Sequence, residues 1–356
     1  MKEKGIGNRL ASLLAHEPAG IPVIITGAAQ AAFMAGCDPA AMRRDGSLLA
    51  RVQREFQVHT GMDWMVVYAD AMAVPEALGI RLKVTAFGPV AETVFDVENF
   101  TGFRQVAWTD TASTNAMLEA LTLLRSPAGG ALAVLFEGPF TTVMRLFEPE
   151  KLLRQIFRRP VFLHDVVARI TDRLKDLATL AYRAGAAIFY LPEPFVSVDM
   201  LSPRHSRAFA FPYLSSLVDH IHGLGGRVIL HICGSTNQIW PDMAATGADA
   251  LSLDQKMSLR EARRCLGPDA ILAGNVDPVA ILFQGDRARV AAETNRCIEE
   301  GGPDNFILMP GCGVPPGTDP ANLRVMVEAA RKGRESSQPR LPTTASQCYI
   351  VCKREC

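Results

Sequence analysis

The sequence predicts an α/β protein built as a (β/α)8 TIM barrel, and three observations predict it. Eight short runs rich in β-formers begin at Ile21, Trp64, Ala131, Ala187, Arg227, Asp249, Ile271 and Phe306, with mostly helical stretches between them. Strict alternation of strand and helix is the pattern of a parallel sheet closed or covered by helices. The runs are continuously apolar rather than alternating, as expected of strands buried on both faces. The third observation is positional: Asp70, Glu137, Glu193, His231, Cys233, Asp254, Asn275, Asp277 and Cys312 all fall just past the ends of these runs. In a barrel those ends share one mouth, where active sites are built. A doubly wound open sheet is the alternative, but the first βα turn carries no Gly-x-Gly-x-x-Gly to favour it.

Each element has a local reason. Near the start, Ile6, Leu10, Leu13 and Leu14 have helical spacing, and the stretch lacks the continuous apolar core of a signal peptide. Residues 21–26 (IPVIIT) form the first strand, closed by Gly27, and residues 42–59 read as helix. The second strand, 64–68, ends at Ala69-Asp70. Residues 82–110 have no helical period and include Phe87-Gly88-Pro89, so they read as an excursion of short strands and loop. The helix 111–125 stops at Ser126-Pro127 and Gly129-Gly130, and strand 131–136 leads to Glu137-Gly138-Pro139. Helices 149–157 and 160–184 follow, then strand 187–191, terminated by Pro192-Glu193-Pro194. Helix 203–223 precedes the strand from Arg227 into His231, and strand 249–253 ends at Asp254. A short strand, 271–273, ends at Gly274-Asn275-Val276-Asp277-Pro278; residues 306–309 run to Cys312, and 320–334 is the last helix. Residues 1–335 thus read as one catalytic barrel domain. Residues 336–356 read as a polar tail with Cys348, Cys352 and Cys356 at a spacing that matches no iron–sulfur or zinc pattern.

Composition narrows the function classes. Lys+Arg and Asp+Glu balance at 37 each, which leaves no electrostatic footprint for nucleic acid or an anionic membrane. No apolar run is long enough to span a bilayer, so the cytoplasm is the expected location. There the eight cysteines are reduced thiols or ligands, not a disulfide framework.

The chemistry concentrates in two strand ends. The run RVILHIC delivers His231 and Cys233, which as residues i and i+2 of an extended segment face the same side. MPGCG delivers Cys312 between Gly311 and Gly313. One imidazole and two thiols suit a borderline-soft ion, zinc above all, and a three-ligand set leaves the open position that marks a catalytic zinc. A lone His-x-Cys would read as a core histidine and thiol; the distant Gly-flanked Cys312 is what favours zinc. His164, His205, His220 and His222 lie in helical stretches and read as structural, and Cys37, Cys265 and Cys297 as plain thiols.

Residues 134–142 (VLFEGPFTT), 201–203, 231–234 (HICG), 274–278 (GNVDP) and 310–316 (PGCGVPP) resemble the uroporphyrinogen decarboxylase superfamily. More narrowly they resemble its zinc-dependent branch, the corrinoid-linked methyltransferases. That branch includes the methylcobamide:coenzyme M methyltransferases and enzymes that take methyl groups from methoxylated aromatics or chloromethane. The resemblance spans roughly residues 21–331. It implies a uroporphyrinogen-decarboxylase-like barrel with His231, Cys233 and Cys312 as zinc ligands. It also implies methyl transfer between a methylcobamide and a small acceptor or donor: coenzyme M, tetrahydrofolate or a methoxylated compound. The corrinoid would be carried by a partner protein, because Asp219-His220-Ile221-His222-Gly223 only superficially suggests Asp-x-His-x-x-Gly.

The other mouth residues keep open roles under the same resemblance. Glu193 is either a fourth ligand or a substrate-orienting carboxylate, and equally reads as a residue behind the ligands. Asp254, Asn275 and Asp277 either orient His231 or contact substrate, with helix capping the ordinary job for Asn275 and Asp277. Asp70 sits where the decarboxylase keeps its catalytic aspartate. A cofactor-free decarboxylase using Asp70 is therefore one alternative. Against it, residues 26–36 (TGAAQAAFMAG) contain none of the arginines with which that enzyme holds a polyanionic tetrapyrrole. A zinc- or corrinoid-binding accessory protein is the other alternative.

Overall fold

The computed structural model describes residues 21–337, apart from 69, 86–87, 105–106, 126–131 and 303–304. The helical spacing read around Ile6–Leu14 and the tail cysteines Cys348, Cys352 and Cys356 lie outside the described residues. Among those residues the strands are β1 (Met65–Val67), β2 (Leu82–Thr85), β3 (Gly88–Ala91), β4 (Leu132–Leu135), β5 (Ile188–Pro192), β6 (Arg227–Ile232), β7 (Ala250–Leu253), β8 (Ile271–Val276) and β9 (Phe306–Pro310). Seven of them form one sheet in the order β1-β4-β5-β6-β7-β8-β9, every pair parallel, while β2 and β3 make a separate antiparallel hairpin.

The expected first strand takes a reduced form. Residues 22–24 lie between β9 and β1 and close the barrel through a single parallel bridge, Val23 to Leu308. The Ile24 amide donates to the Leu308 carbonyl (3.1 Å), and the Leu308 amide donates to the Pro22 carbonyl (2.8 Å). Toward β1, the Asp63 amide donates to the Val23 carbonyl at 3.0 Å, but the Val23 amide donates to the Asp63 carboxylate at 2.7 Å. Pro22 has no N–H, and a side chain takes the next one, so no regular ladder extends there.

Two apolar layers follow from period-2 strands closed on themselves. Trp64, Val66, Leu135, Ile188, Tyr190, Ile229, Ala250, Ile271, Ala273, Ile307 and Met309 fill the barrel interior. Their sequence neighbours, such as Val67, Val134, Phe189, Leu230, Leu251, Leu272 and Leu308, point outward into the packing against the helices.

Several expected bounds move for identifiable reasons. The expected 42–59 helix starts later, at Gly46, and runs to Thr60, with a separate short helix, Pro39–Met42, before it; each is capped by an aspartate, Asp45 and Asp38. The 203–223 stretch divides into Pro203–Phe209 and Phe211–Leu224, with Pro212 in the first turn of the second. The 149–157 helix divides likewise into Pro149–Leu153 and Gln155–Arg158. β8 is longer than its apolar core and carries Asn275 inside it, and β6 contains His231. Those two side chains therefore point from within strands rather than from the loops after them. No helix among the described residues is long and apolar enough to cross a membrane.

Candidate metal centre

Strand periodicity builds the site. Along β6, Ile229 faces the barrel interior, so His231 and Cys233, at i+2 and i+4, stand above it on the same side. Beyond Cys233 the chain turns at Gly234, whose φ of 78° suits glycine. Cys312 arrives from the loop after β9, which is tied back by a hydrogen bond from the Val314 amide to the Thr26 carbonyl (2.9 Å). The ligating atoms of His231, Cys233 and Cys312 all lie within 4.8 Å of one another. His231 Nε2 is 2.9 Å from Cys233 Sγ, and the two sulfurs are 3.8 Å apart. The reading of these three residues as one cluster thus matches their placement.

The imidazole is anchored from behind. Its Nδ1 lies 3.2 Å from the Ser252 carbonyl and 3.1 Å from Ser252 Oγ, across the β6–β7 register that pairs His231 with Ser252. A carbonyl only accepts, so Nδ1 carries the proton and Nε2 presents its lone pair to the cysteines. Tyr190 stacks on the ring at 5.7 Å, and its hydroxyl lies 3.3 Å from Ser252 Oγ. The two thiols share a proton. Its donation from Cys233 holds Cys312 well below the ordinary thiol range. The same sharing, with burial added, pushes Cys233 up. A soft cation replaces that proton and satisfies both sulfurs, so the donor set fits zinc.

The remaining expected residues hold other partners. Asp254 is buried, and its carboxylate accepts from the Gly234 amide (2.8 Å) and the Lys256 amide (2.9 Å), which fixes the turn after Cys233. Asn275 is buried and donates to the carbonyls of Asp254 (3.0 Å) and Met257 (2.7 Å), fastening the loop after β7. Asp277 caps the helical turn Pro278–Phe283 by accepting from the amides of Val279 and Ala280, both at 2.8 Å. Glu193 has no exposed surface and accepts from the amides of Phe140 (3.1 Å) and Thr141 (2.8 Å), at the N-terminus of helix Pro139–Leu146. Its own amide donates to the His231 carbonyl at 2.8 Å. Burial raises its carboxyl to about 7, against the opposing pull of those amide hydrogen bonds.

Asp70 stands at another part of the mouth. Arg43 Nε is 3.0 Å from one of its oxygens, and Arg43 also pairs with Glu76 at 2.7 Å. Burial raises the Asp70 carboxyl, and Arg43 works against that. Glu137 is buried and paired with Arg145. The Glu137 charge is felt both by the Cys233 thiol and by the Tyr68 hydroxyl. Sequence reasoning singled out neither Ser252, Tyr190, Tyr68 nor Arg145. The first three are inward positions of β7, β5 and the end of β1, and period-2 counting back from Asp254, Pro192 and Asp70 would have found them.

The uroporphyrinogen decarboxylase (URO-D) family profile matches residues 8–333. A uroporphyrinogen decarboxylase of Myxococcus xanthus is 26% identical over 294 residues, covering 80% of this chain and 82% of that protein. The methylcobamide:CoM methyltransferase MtbA of Methanosarcina mazei is 26% identical over 300 residues, covering 82% of this chain and 86% of that protein. Among solved structures, a methyltransferase from Methanosarcina mazei has a TM-score of 0.82 at 24% identity, covering 92% of this chain and 99% of that one. At that identity the likeness is one of fold. Sequence identity does not rank the two activities. With a profile match running through every strand of the barrel, this chain belongs to the uroporphyrinogen decarboxylase family.

Proposed function

We propose that the protein is a zinc-dependent methyltransferase that moves a methyl group between a methylcobamide on a partner corrinoid protein and a small molecule. The observation that carries this reading is the His231–Cys233–Cys312 cluster, with Nε2 aimed at the two sulfurs and Nδ1 occupied by Ser252. His231 Nε2, Cys233 Sγ and Cys312 Sγ would hold the ion. Bound there, zinc supplies a Lewis acid that keeps a thiol deprotonated or polarises an ether oxygen. The chain's own residues do the positioning. Ser252 and Tyr190 set the imidazole, Asp254 sets the turn that carries Cys233, and the Thr26–Val314 hydrogen bond sets the loop that carries Cys312.

A decarboxylase built on Asp70 has less support. Its carboxylate is already in contact with Arg43, and Arg43 in turn is paired with Glu76, so this arginine is not available for a substrate carboxylate. A non-catalytic zinc-binding role would leave the same metal content but no turnover.

The test begins with metal analysis of the full chain and of Cys312→Ala. About one zinc per wild-type chain is expected, with most of it lost in the variant. Methyl exchange is then followed by the cobalamin spectrum, using methylcobalamin with thiols or pterins and cob(I)alamin with aryl methyl ethers. Wild-type protein that binds no zinc overturns the proposal.

A further inference from the structure

A cleft of about 910 Å3 opens at the same end of the barrel as the metal centre. Its volume is at the upper end of the range for small-molecule sites. It is bordered by the helix Ala28–Met34, the end of β1, the β2–β3 hairpin, the helix Pro139–Leu146 and the loops after β5 and β9. It lies beside the metal centre without including its ligands: none of His231, Cys233 and Cys312 lines it, and two residues connect the two places. Pro316 belongs to the loop that carries Cys312, and Arg145 is the ion-pair partner of Glu137, whose charge reaches Cys233.

The lining is chemically one-sided. Phe33, Met72, Val90, Val94, Phe147 and Phe195 are typical of it. Asp70 and Arg145 are the charged side chains among the described lining residues, and each is already paired, Asp70 with Arg43 and Arg145 with Glu137. An anionic ligand would have to lose its water without gaining a free cation, which is costly in an apolar cleft. A neutral one loses little water and gains apolar burial. Among the described lining residues the polar points left are the Cys37 thiol and the Tyr68 hydroxyl, the latter kept protonated by burial and by the nearby Glu137 and Asp70. As a neutral donor it suits a ligand oxygen.

We infer that this cleft binds an uncharged, largely apolar small molecule carrying an ether or hydroxyl oxygen, and excludes carboxylates and sulfonates. The inference rests on the methyltransferase reading for its biological sense, because it assigns the small-molecule partner of that site as a neutral ether or alcohol rather than an anionic thiol. The binding itself does not depend on zinc.

The test compares probes of matched size by calorimetry or ligand-observed NMR, on zinc-loaded and on metal-free full chain. 4-Methylanisole is the neutral probe; 4-methoxybenzoate and 2-mercaptoethanesulfonate are the anions. The neutral ether is expected to bind about tenfold or more tightly than 4-methoxybenzoate, in both metal states. Val94→Asp, at a half-exposed position on the rim, is expected to weaken the neutral probe about tenfold with zinc content unchanged. Glu137→Gln releases the Arg145 guanidinium and is expected to raise affinity for 4-methoxybenzoate. Equal or tighter binding of 4-methoxybenzoate by the wild type in either metal state, or of 2-mercaptoethanesulfonate by the metal-free wild type, overturns the inference, as does failure of the neutral probe. Unchanged selectivity in Glu137→Gln overturns it as well. Absence of zinc in the wild type overturns the methyltransferase reading instead, and leaves the probe comparison to be read on metal-free protein.

Discussion

At the scale of the residue, the centre depends on which nitrogen of His231 is left for a metal. The Ser252 carbonyl and hydroxyl both face Nδ1, so the ring enters the site in one tautomer and one orientation. Partners behind a metal ligand typically contribute one to two orders of magnitude in affinity. Ser252→Ala keeps the carbonyl but removes the hydroxyl and with it the bridge to Tyr190. Its zinc affinity is expected to fall about tenfold by competitive chelator titration, with the chain still folded. Unchanged affinity would mean that the carbonyl alone orients the ring. The facing of His231 and Cys233 was legible in the sequence because an i, i+2 pair on a strand is a geometric statement. Ser252 was not, since a serine inside an apolar strand carries no signal until the β6–β7 register places it opposite His231.

At the scale of the element, the helix Pro139–Leu146 begins over a buried carboxylate. Glu193 satisfies two of its first amides, and its backbone bonds the His231 carbonyl, so one residue joins that helix to β6. Gly138 is glycine because a Cβ there would lie 2.6 Å from the Glu193 Cγ. Burial raises the Glu193 carboxyl from 4.5 to about 7 in the folded chain, so folded protein binds the proton more tightly than unfolded. The linked stability is therefore present in full below pH ~4.5 and is lost as pH rises through about 7. The loss is on the order of 3 kcal/mol. Denaturant unfolding at pH 5 and pH 7.5 is expected to show that decline in the wild type and a flatter profile in Glu193→Gln. Equal profiles would show that the carboxyl titrates as it does in the unfolded chain. Sequence reasoning had placed Glu193 at the mouth but could not see that helix amides, 52 and 53 residues away, claim both of its oxygens.

At the scale of the whole molecule, the two ends of the barrel have separate duties. The end opposite the metal centre is fastened by Arg263, whose guanidinium donates to the carbonyls of Gly301 (2.9 Å), Asn305 (2.9 Å) and Gly267 (3.2 Å). These lie at the ends of helices Leu259–Leu266 and Arg287–Gly301 and at the entry to β9. Arg263→Ala leaves several partly buried carbonyls without donors, an expected cost of about 2–4 kcal/mol in unfolding free energy. Its zinc stoichiometry is expected to stay at the wild-type value, and a parallel loss of metal would contradict this separation. The barrel was readable from eight apolar runs because burial on both faces writes itself into composition. Its closing segment was only half readable. The apolar run at residues 21–26 is present, yet Asp63 intercepts the Val23 amide and reduces the strand to one bridge. The Arg43–Asp70 and Glu137–Arg145 pairs were likewise hidden, since each joins residues that only the folded chain brings together.

The placement of Cys233 and Cys312 has a mechanical consequence. They are 79 residues apart in the chain, with all of β7, β8 and β9 between them. A cation gripped by both is a removable cross-link, a staple across that arc of the barrel. In the loop-entropy picture, closing a loop of this length withdraws about 4–5 kcal/mol of freedom from the unfolded chain. Stripping a zinc bound there with a chelator is therefore expected to lower the unfolding temperature. Amide exchange should quicken most in β7, β8 and β9, while the Arg263 end stays protected. Exchange that quickened uniformly, or not at all, would show the ion to be a passenger on a rigid frame. Otherwise a cation bound there would also decide how firmly that arc of the wall is sewn shut.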